Sequence, residues 1–229
     1  MHTGGGLALL RFFTSIAQID VSVEFLTICI ISSVKTVLYA VAALSLSIII
    51  ALPLGVIASG TIISNKAINT TLSACTRLIL SILRSIHELI WALLLVSAIG
   101  LSPIVAVLAL ALPYTGILGR IFAEQLQDVP QQPIKVLLHN GATLSKALIY
   151  GRIPLAIPNI TSYIFYRFEC GIRSSSIMSF IGIQGIGYQI QLSLMDLQFG
   201  QVWTGLLCLT LMIVLVDAWS SKVRRIMVN

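Results

Sequence analysis

The amino-acid sequence predicts an all-α, polytopic bundle of about five membrane spans. Three observations predict it. Of 229 residues, 57% are hydrophobic and only 10% are charged, against about a quarter charged in soluble domains. The mean hydropathy is +1.00, and a soluble globule of this size cannot hide so much apolar surface while wetting its own exterior. The charges are also gathered into short segments separated by long charge-free runs. The same figures exclude a disordered chain, a collagen and a disulfide scaffold.

The N-terminal stretch MHTGGGLALLRFFTSIAQID does not read as a convincing signal peptide, because no basic residue precedes its apolar part and Arg11 interrupts it. It is too short to span. Residues 1–25 are therefore expected to form an amphipathic, extracytoplasmic segment, and residues 26–226 the membrane domain. No charge lies between Lys35 and Lys66, which gives a first span over residues 36–60, or from residue 26 if the helix tilts. The run 89–119 is also uncharged. At about 1.5 Å per residue it is too long for one crossing of a core about 30 Å thick. Gly100-Leu101-Ser102-Pro103 divides it, so a second span is expected over 78–99 and a third over 103–124. Residues 128–152 are polar and broken by Pro130, Pro133, Gly141 and Gly151, which predicts two short helical pieces outside the membrane. A fourth span covers 155–180, the glycine-rich stretch Phe180–Gly187 interrupts it, and an uncharged fifth span covers 197–216.

Charge bias sets the orientation. Lys66, Arg77 and Arg84 lie near one end of the second span; Arg120, Lys135, Lys146 and Arg152 flank the middle loop; Lys222, Arg224 and Arg225 follow the fifth span. Residues 100–103 and 181–195 carry no Lys or Arg. The basic segments, including the loop at about 125–154 and the C-terminus, are thus expected in the cytoplasm. An odd number of crossings puts the N-terminus outside.

Several chemistries are excluded. The net charge of +6 comes from topology determinants, with no basic stripe interleaved with aromatics to bind nucleic acid. Cys29, Cys75, Cys170 and Cys208 form no CxxC, and small apolar packing residues are the simplest account of them. No GxxxxGK[ST] phosphate loop occurs, so the chain carries no such ATP site of its own. Gly182, Gly185 and Gly187 lack the spacing and βαβ setting of a dinucleotide loop and are expected to form a turn at the outer face. HExxH and GxSxG are absent, and neither a metal site nor a catalytic residue is expected.

Charges inside spans are expensive and face a bundle interior or a water-filled path. Arg84 and Glu88 lie four apart beside His87, and Glu88 falls about 18 Å from Gly100, near mid-depth. In the fourth span, Arg167, Glu169 and Arg173 lie within seven residues, followed by Ser174, Ser175 and Ser176. Glu169 and Arg173 have the favourable i,i+4 order for a helical ion pair, which leaves Arg167 to meet Glu88 or an anion. Two roles stay open: ion pairs that lock helix packing, or a polar lining for an anion path made by Glu88, Arg167, Glu169, Arg173, Ser174 and Ser175. The planar guanidinium fork favours oxyanions in the second case.

The stretch HNGATLSKALIYGRIPLAIPNI resembles the cytoplasmic coupling loop of ATP-binding-cassette importer permeases. Gly141-Ala142-Thr143, Ile153-Pro154 and Pro158 match that motif in order and spacing. Lys135 stands where the family has Glu, and Val136, Leu137 and His139 stand at its alanine positions. Tyr166-Arg167-Phe168-Glu169, Arg173-Ser174 and Gly182, Gly185, Ile186, Gly187 are similar to the phosphonate-type subgroup, as are the Glu88 segment and LSPIVAVLAL. The resemblance covers about residues 25–226.

It implies a type I importer permease core in a bacterial inner membrane, moving phosphonate, phosphite or a related phosphorus oxyanion inward by alternating access. It implies as partners a second permease copy as a homodimer, two ATPase subunits holding ATP and Mg, and a periplasmic binding protein. Lys135, His139, Gly141, Ala142 and Pro154 would couple to the ATPase. Gly182, Gly185 and Gly187 would serve the outer gate. Members often carry a further N-terminal span, and this chain is expected to start after it. An amino-acid permease of the same superfamily is the nearest alternative. An ion-coupled carrier lacks support because the halves show no repeat. An intramembrane enzyme lacks a nucleophile–base constellation.

Overall fold

A computed structural model describes residues 12–17, 19–62 and 65–228. Those residues are helical or in turns, with no strand among them. The helices are α1 (Val23–Ala58), α2 (Lys66–Ser85), α3 (Glu88–Ile99), α4 (Pro103–Gln127), α5 (Gln131–His139), α6 (Leu144–Ala147), α7 (Ile153–Met178), α8 (Ile186–Met195) and α9 (Phe199–Val228). A π-helical turn, Leu148–Arg152, joins α6 to α7. Helices α1, α4 and α9 have the length and apolar composition to cross a membrane, and the bent pair α2–α3 meets the same criteria taken together, as a broken span or a re-entrant loop. Helix α7 has the length, 26 residues, but carries Arg167, Glu169 and Arg173. With the bent pair counted as one span and with α7, the count agrees with the five spans expected.

The centre of the bundle is the α1–α4 pair. Helix α1 turns Ala40, Ala43, Ser47, Ala51, Gly55 and Ala58 inward. Small residues let two backbones approach closely, which is how helices associate in lipid where hydrophobic burial gives no drive. A Cβ on Gly55 would lie 2.8 Å from Phe122 Cβ and 3.0 Å from the Gly119 carbonyl. The Ser47 hydroxyl donates across the contact to the Ala111 carbonyl at 3.1 Å.

The second span departs from expectation. It is not one helix over 78–99: the chain breaks at Ile86–His87 and bends by 84°. Ile86 is extended, and the His87 ring accepts at Nδ1 from the Leu89 N–H at 3.2 Å, capping α3. Arg84 lies in the last turn of α2 and Glu88 in the first turn of α3, each complementing its helix dipole. Residues read as neighbours on one helix therefore belong to the ends of two.

The turn before α4 meets the turn after α7. A Cβ on Gly182 would lie 3.5 Å from the Leu101 side chain, so the two segments without Lys or Arg share one end of the bundle. The ten-residue helix α8 was not expected. The amphipathic N-terminal reading falls largely on residues 1–11, outside the described residues. Phe12 and Asp20 do pack on the start of α9. Phe12 stacks on Trp203 at 5.0 Å, and the Trp203 indole N–H donates to the Phe12 carbonyl at 2.9 Å. The Ser22 N–H, 2.9 Å away, holds the Asp20 carboxyl below its usual range, helped by Gln201.

Candidate functional site in the membrane

The polar residues of α7 divide between two faces. Arg167 and Ser174, seven apart, share the first. Ser174 Oγ donates to Glu88 Oε1 at 2.6 Å. The Arg167 guanidinium carbon lies 4.2 Å from the centroid of the Tyr114 ring, a cation–π contact. Gly171 makes room for that ring, since a Cβ there would lie 3.2 Å from Tyr114 Cε2. The first turn of α3, the middle of α4 and the C-terminal half of α7 thus converge on one cluster. Tyr114 is 1% exposed; its hydroxyl lies beside Ser174 without a well-formed hydrogen bond, and Arg167 Nε has no partner among the described residues. Buried polar atoms left unpartnered call for an explanation, whether strain, a water or a ligand, and Ser102, Thr115, Gln191 and Ser220 share that status elsewhere in the chain. The cluster offers a guanidinium fork, two hydroxyls and a carboxylate already engaged by Ser174. A helix broken as α2–α3 is broken is also how transporters bring a helix N-terminus to a substrate.

The second face is structural. Arg224 of α9 donates to Glu169 Oε1 at 2.7 Å, with Glu169 8% and Arg224 25% exposed. The expected Glu169–Arg173 helical pair does not form. Helix α9 packs on α7 here, with Trp219 5.9 Å from Phe165 and 6.5 Å from Phe168, and this brings a stronger partner to the carboxylate. Arg173 instead lines a cavity of about 170 Å³ with Asp217. Nor does Arg167 pair with Glu88: among the described residues the ion pairs are Arg120–Glu124 and Glu169–Arg224. Ser175 is fully buried and donates to the Thr36 carbonyl at 2.9 Å, tying α7 to α1 away from the cluster. Sequence reasoning missed Tyr114, hidden in a charge-free run, and took Arg224 for a topology determinant only.

Gly182, Gly185 and Gly187 sit together where α7 ends. Gly182 has φ +97° and closes the 3₁₀ turn after α7. A Cβ on Gly185 would meet Ser179 and Thr36, and one on Gly187 the Ser176 carbonyl. The turn is fastened to α1 by the Ile186 N–H on Thr36 Oγ1 at 3.1 Å and by Lys35 Nζ on Gln184 Oε1 at 2.9 Å.

At the opposite end, Lys135 and His139 lie exposed on α5, and His139 Nδ1 is 2.7 Å from the Lys135 carbonyl. Gly141 has φ +81° and closes a Schellman turn, with Gly141 N–H on the Leu138 carbonyl and Ala142 N–H on the Leu137 carbonyl. A Cβ at Gly141 would meet nothing within 4 Å, so its backbone conformation, not a close helix approach within this chain, requires glycine. Ala142 is half-buried beside it, and Pro154 lies exposed in the first turn of α7. Val136, Leu138, Ile149 and Tyr150 add exposed apolar surface to this segment.

Residues 51–226 match the family described as binding-protein-dependent transport system inner membrane component. The chain belongs to that family. The phosphite transport system permease protein PtxC of Stutzerimonas stutzeri is 30% identical over 192 residues, covering 84% of this chain and 68% of the relative. The putative phosphite transport system permease protein HtxC of the same organism is also 30% identical, over 79% of this chain and 63% of its own length. The chain therefore spans about two thirds of these relatives. Among solved structures, the MetNI methionine ABC transporter in an inward-facing conformation superposes with a TM-score of 0.78 at 18% identity, covering 90% of this chain and 99% of that one. As an inner membrane component, this chain is a membrane subunit of a transport system, and its helical core has the fold of that neighbour.

Proposed function

We propose that this inner membrane component is the permease subunit of an ATP-driven importer for a phosphorus oxyanion of the phosphite or phosphonate class. The observation that carries this reading is the cluster of Arg167, Tyr114, Ser174 and Glu88, in which the buried Arg167 Nε and Tyr114 hydroxyl lack a well-formed hydrogen bond. It offers an oxyanion the planar fork of Arg167 and the Tyr114 hydroxyl as donors. The names of the phosphite relatives support the same ligand class.

In this reading two copies of the chain form the path. Two ATPase subunits hold ATP and Mg, and a periplasmic binding protein delivers the anion. This chain binds no cofactor. Segment α5–α6 and the C-terminus face the cytoplasm, the N-terminus faces the periplasm, and Gly182, Gly185 and Gly187 belong to the outer gate. The exposed surface of Lys135, His139, Gly141 and Tyr150 receives the ATPase. Lys135 meets an acidic residue there, so Lys135→Glu weakens assembly by setting like charges together; unchanged or tighter assembly would remove that contact.

Arg167→Lys in the assembled complex tests the site. Lysine keeps the charge and loses the planar fork. Binding-protein-dependent uptake of phosphite into vesicles should fall by about tenfold, the equivalent of one charge-assisted hydrogen bond, with assembly and ATP hydrolysis retained. Full uptake in a well-assembled Arg167→Lys complex would sink the proposal.

A further inference from the structure

Where α2 passes the inner ends of α1 and α4, a cavity of about 170 Å³ is lined by Arg77, Leu80, Arg120, Ala123, Glu124 and Gln127. Two of these are fixed to the end of α1. Arg77 Nε donates to the Ala58 carbonyl at 3.0 Å, and Gln127 Nε2 to the Ser59 carbonyl at 2.8 Å. Arg120 Nε is held by Glu124 Oε1 at 2.7 Å. Both arginines are thus anchored through Nε, and among the described residues their terminal amino groups have no partner. Two guanidinium groups against one carboxylate leave one net positive charge.

Helix α2 shows what surrounds this cavity. Ile68, Leu72, Cys75, Ile79 and Ile82 recur at helical spacing and are exposed, while Thr76 and Leu80 are turned into the bundle. In a soluble protein the apolar stripe would face the core. Here it faces outward, as on a helix inside the bilayer with lipid chains around it. A lipid whose chains follow that stripe brings its headgroup to the mouth of the cavity.

We propose that this cavity binds the phosphate of an anionic phospholipid of the inner leaflet, between Arg77 and Arg120. A phosphodiester carries one negative charge and matches the net charge of the site. Inorganic phosphate, which carries more at neutral pH, would meet Glu124 without a second compensating cation. Basic pockets between membrane helices at the cytoplasmic side are suited to anionic headgroups. The proposal is independent of which solute is carried.

The test is lipid retention by the assembled complex, taken from mixed phosphatidylglycerol and phosphatidylcholine nanodiscs into detergent and weighed by native mass spectrometry. Wild type should retain phosphatidylglycerol preferentially. Arg120→Gln, which removes no contact to α1, should lower that preference about fivefold. Arg77→Gln should act in the same direction, and Glu124→Gln should raise the preference, although it breaks an ion pair. Equal retention in wild type, Arg120→Gln and the Arg77→Gln/Arg120→Gln double variant would overturn the site. Displacement of the lipid by millimolar inorganic phosphate, with matching thermal protection in pure phosphatidylcholine, would overturn the lipid assignment in favour of a free anion.

Discussion

Arg167 and Glu169 are two residues apart on one helix, yet their charges are treated in opposite ways. Glu169 is buried and paired with Arg224 at 2.7 Å. Arg167 lies over the Tyr114 ring, with its Nε and the Tyr114 hydroxyl both buried without a well-formed hydrogen bond. A buried charge with its partner is finished structure. In the proposed reading, one whose hydrogen-bonding capacity is left open receives the ligand. On that reading helix α7 carries a packing face and a working face, and the two can be separated by experiment.

The largest effect belongs to the packing face. Glu169→Gln or Arg224→Gln leaves the other charge unpaired in a low-dielectric setting. That costs about 3–5 kcal/mol for a fully buried pair, and the lower end applies here because Arg224 remains a quarter exposed. The thermal midpoint and the yield of assembled complex should both fall. The double variant Glu169→Gln/Arg224→Gln removes both charges together and should recover most of the loss. A Glu169→Gln complex that assembles normally but fails in uptake would move Glu169 onto the path and dissolve the distinction.

The distinction was half legible in the sequence. Helices α1, α4 and α9 could be counted because apolar length is what a bilayer demands, and a run without charges records it directly. The YRFE and RS residues marked α7 as the helix to watch. Their partners could not be read. Spacing offered Arg173 to Glu169, whereas tertiary packing delivered Arg224 from 55 positions away. Tyr114 sits inside an uncharged run, where nothing distinguishes a functional ring from a packing one. The break at His87 escaped because counting apolar residues ignores caps, although a capping side chain followed by Glu88 is a helix start that the letters do contain. Gly141 entered through the motif spacing; the left-handed turn that it closes, φ +81°, is a physical reason that the motif did not supply.

Tyr114→Phe probes the working face with less damage. The ring stays beneath Arg167, and only a hydroxyl without a well-formed hydrogen bond is lost. Removing an unsatisfied buried group is neutral or stabilising, so the thermal midpoint should hold or rise slightly. Phosphite uptake should nevertheless fall several-fold, about 1 kcal/mol for one hydrogen bond to the ligand. Unchanged uptake would leave Tyr114 as a packing residue and narrow the site to α3 and α7.

The smallest effects come from the neighbours Ser174 and Ser175, and they give the finest test of the two faces. Ser175 Oγ donates to the Thr36 carbonyl at 2.9 Å in a fully buried contact between α7 and α1. Ser175→Ala removes one hydrogen bond from that contact, worth about 1 kcal/mol of stability, and leaves uptake per assembled complex unchanged. Ser174 Oγ donates to Glu88 Oε1 at 2.6 Å on the other side. Ser174→Ala frees a carboxylate beside the place where the anion would sit, so uptake should fall about threefold to tenfold with little change in the thermal midpoint. The separation depends on normalising uptake to assembled complex, because a stability loss mimics a transport loss in raw rates. If the two serines exchange behaviours, or both variants change stability and uptake in parallel, then α7 has one face and not two, and the open hydrogen-bonding capacity at Arg167 is only imperfect packing.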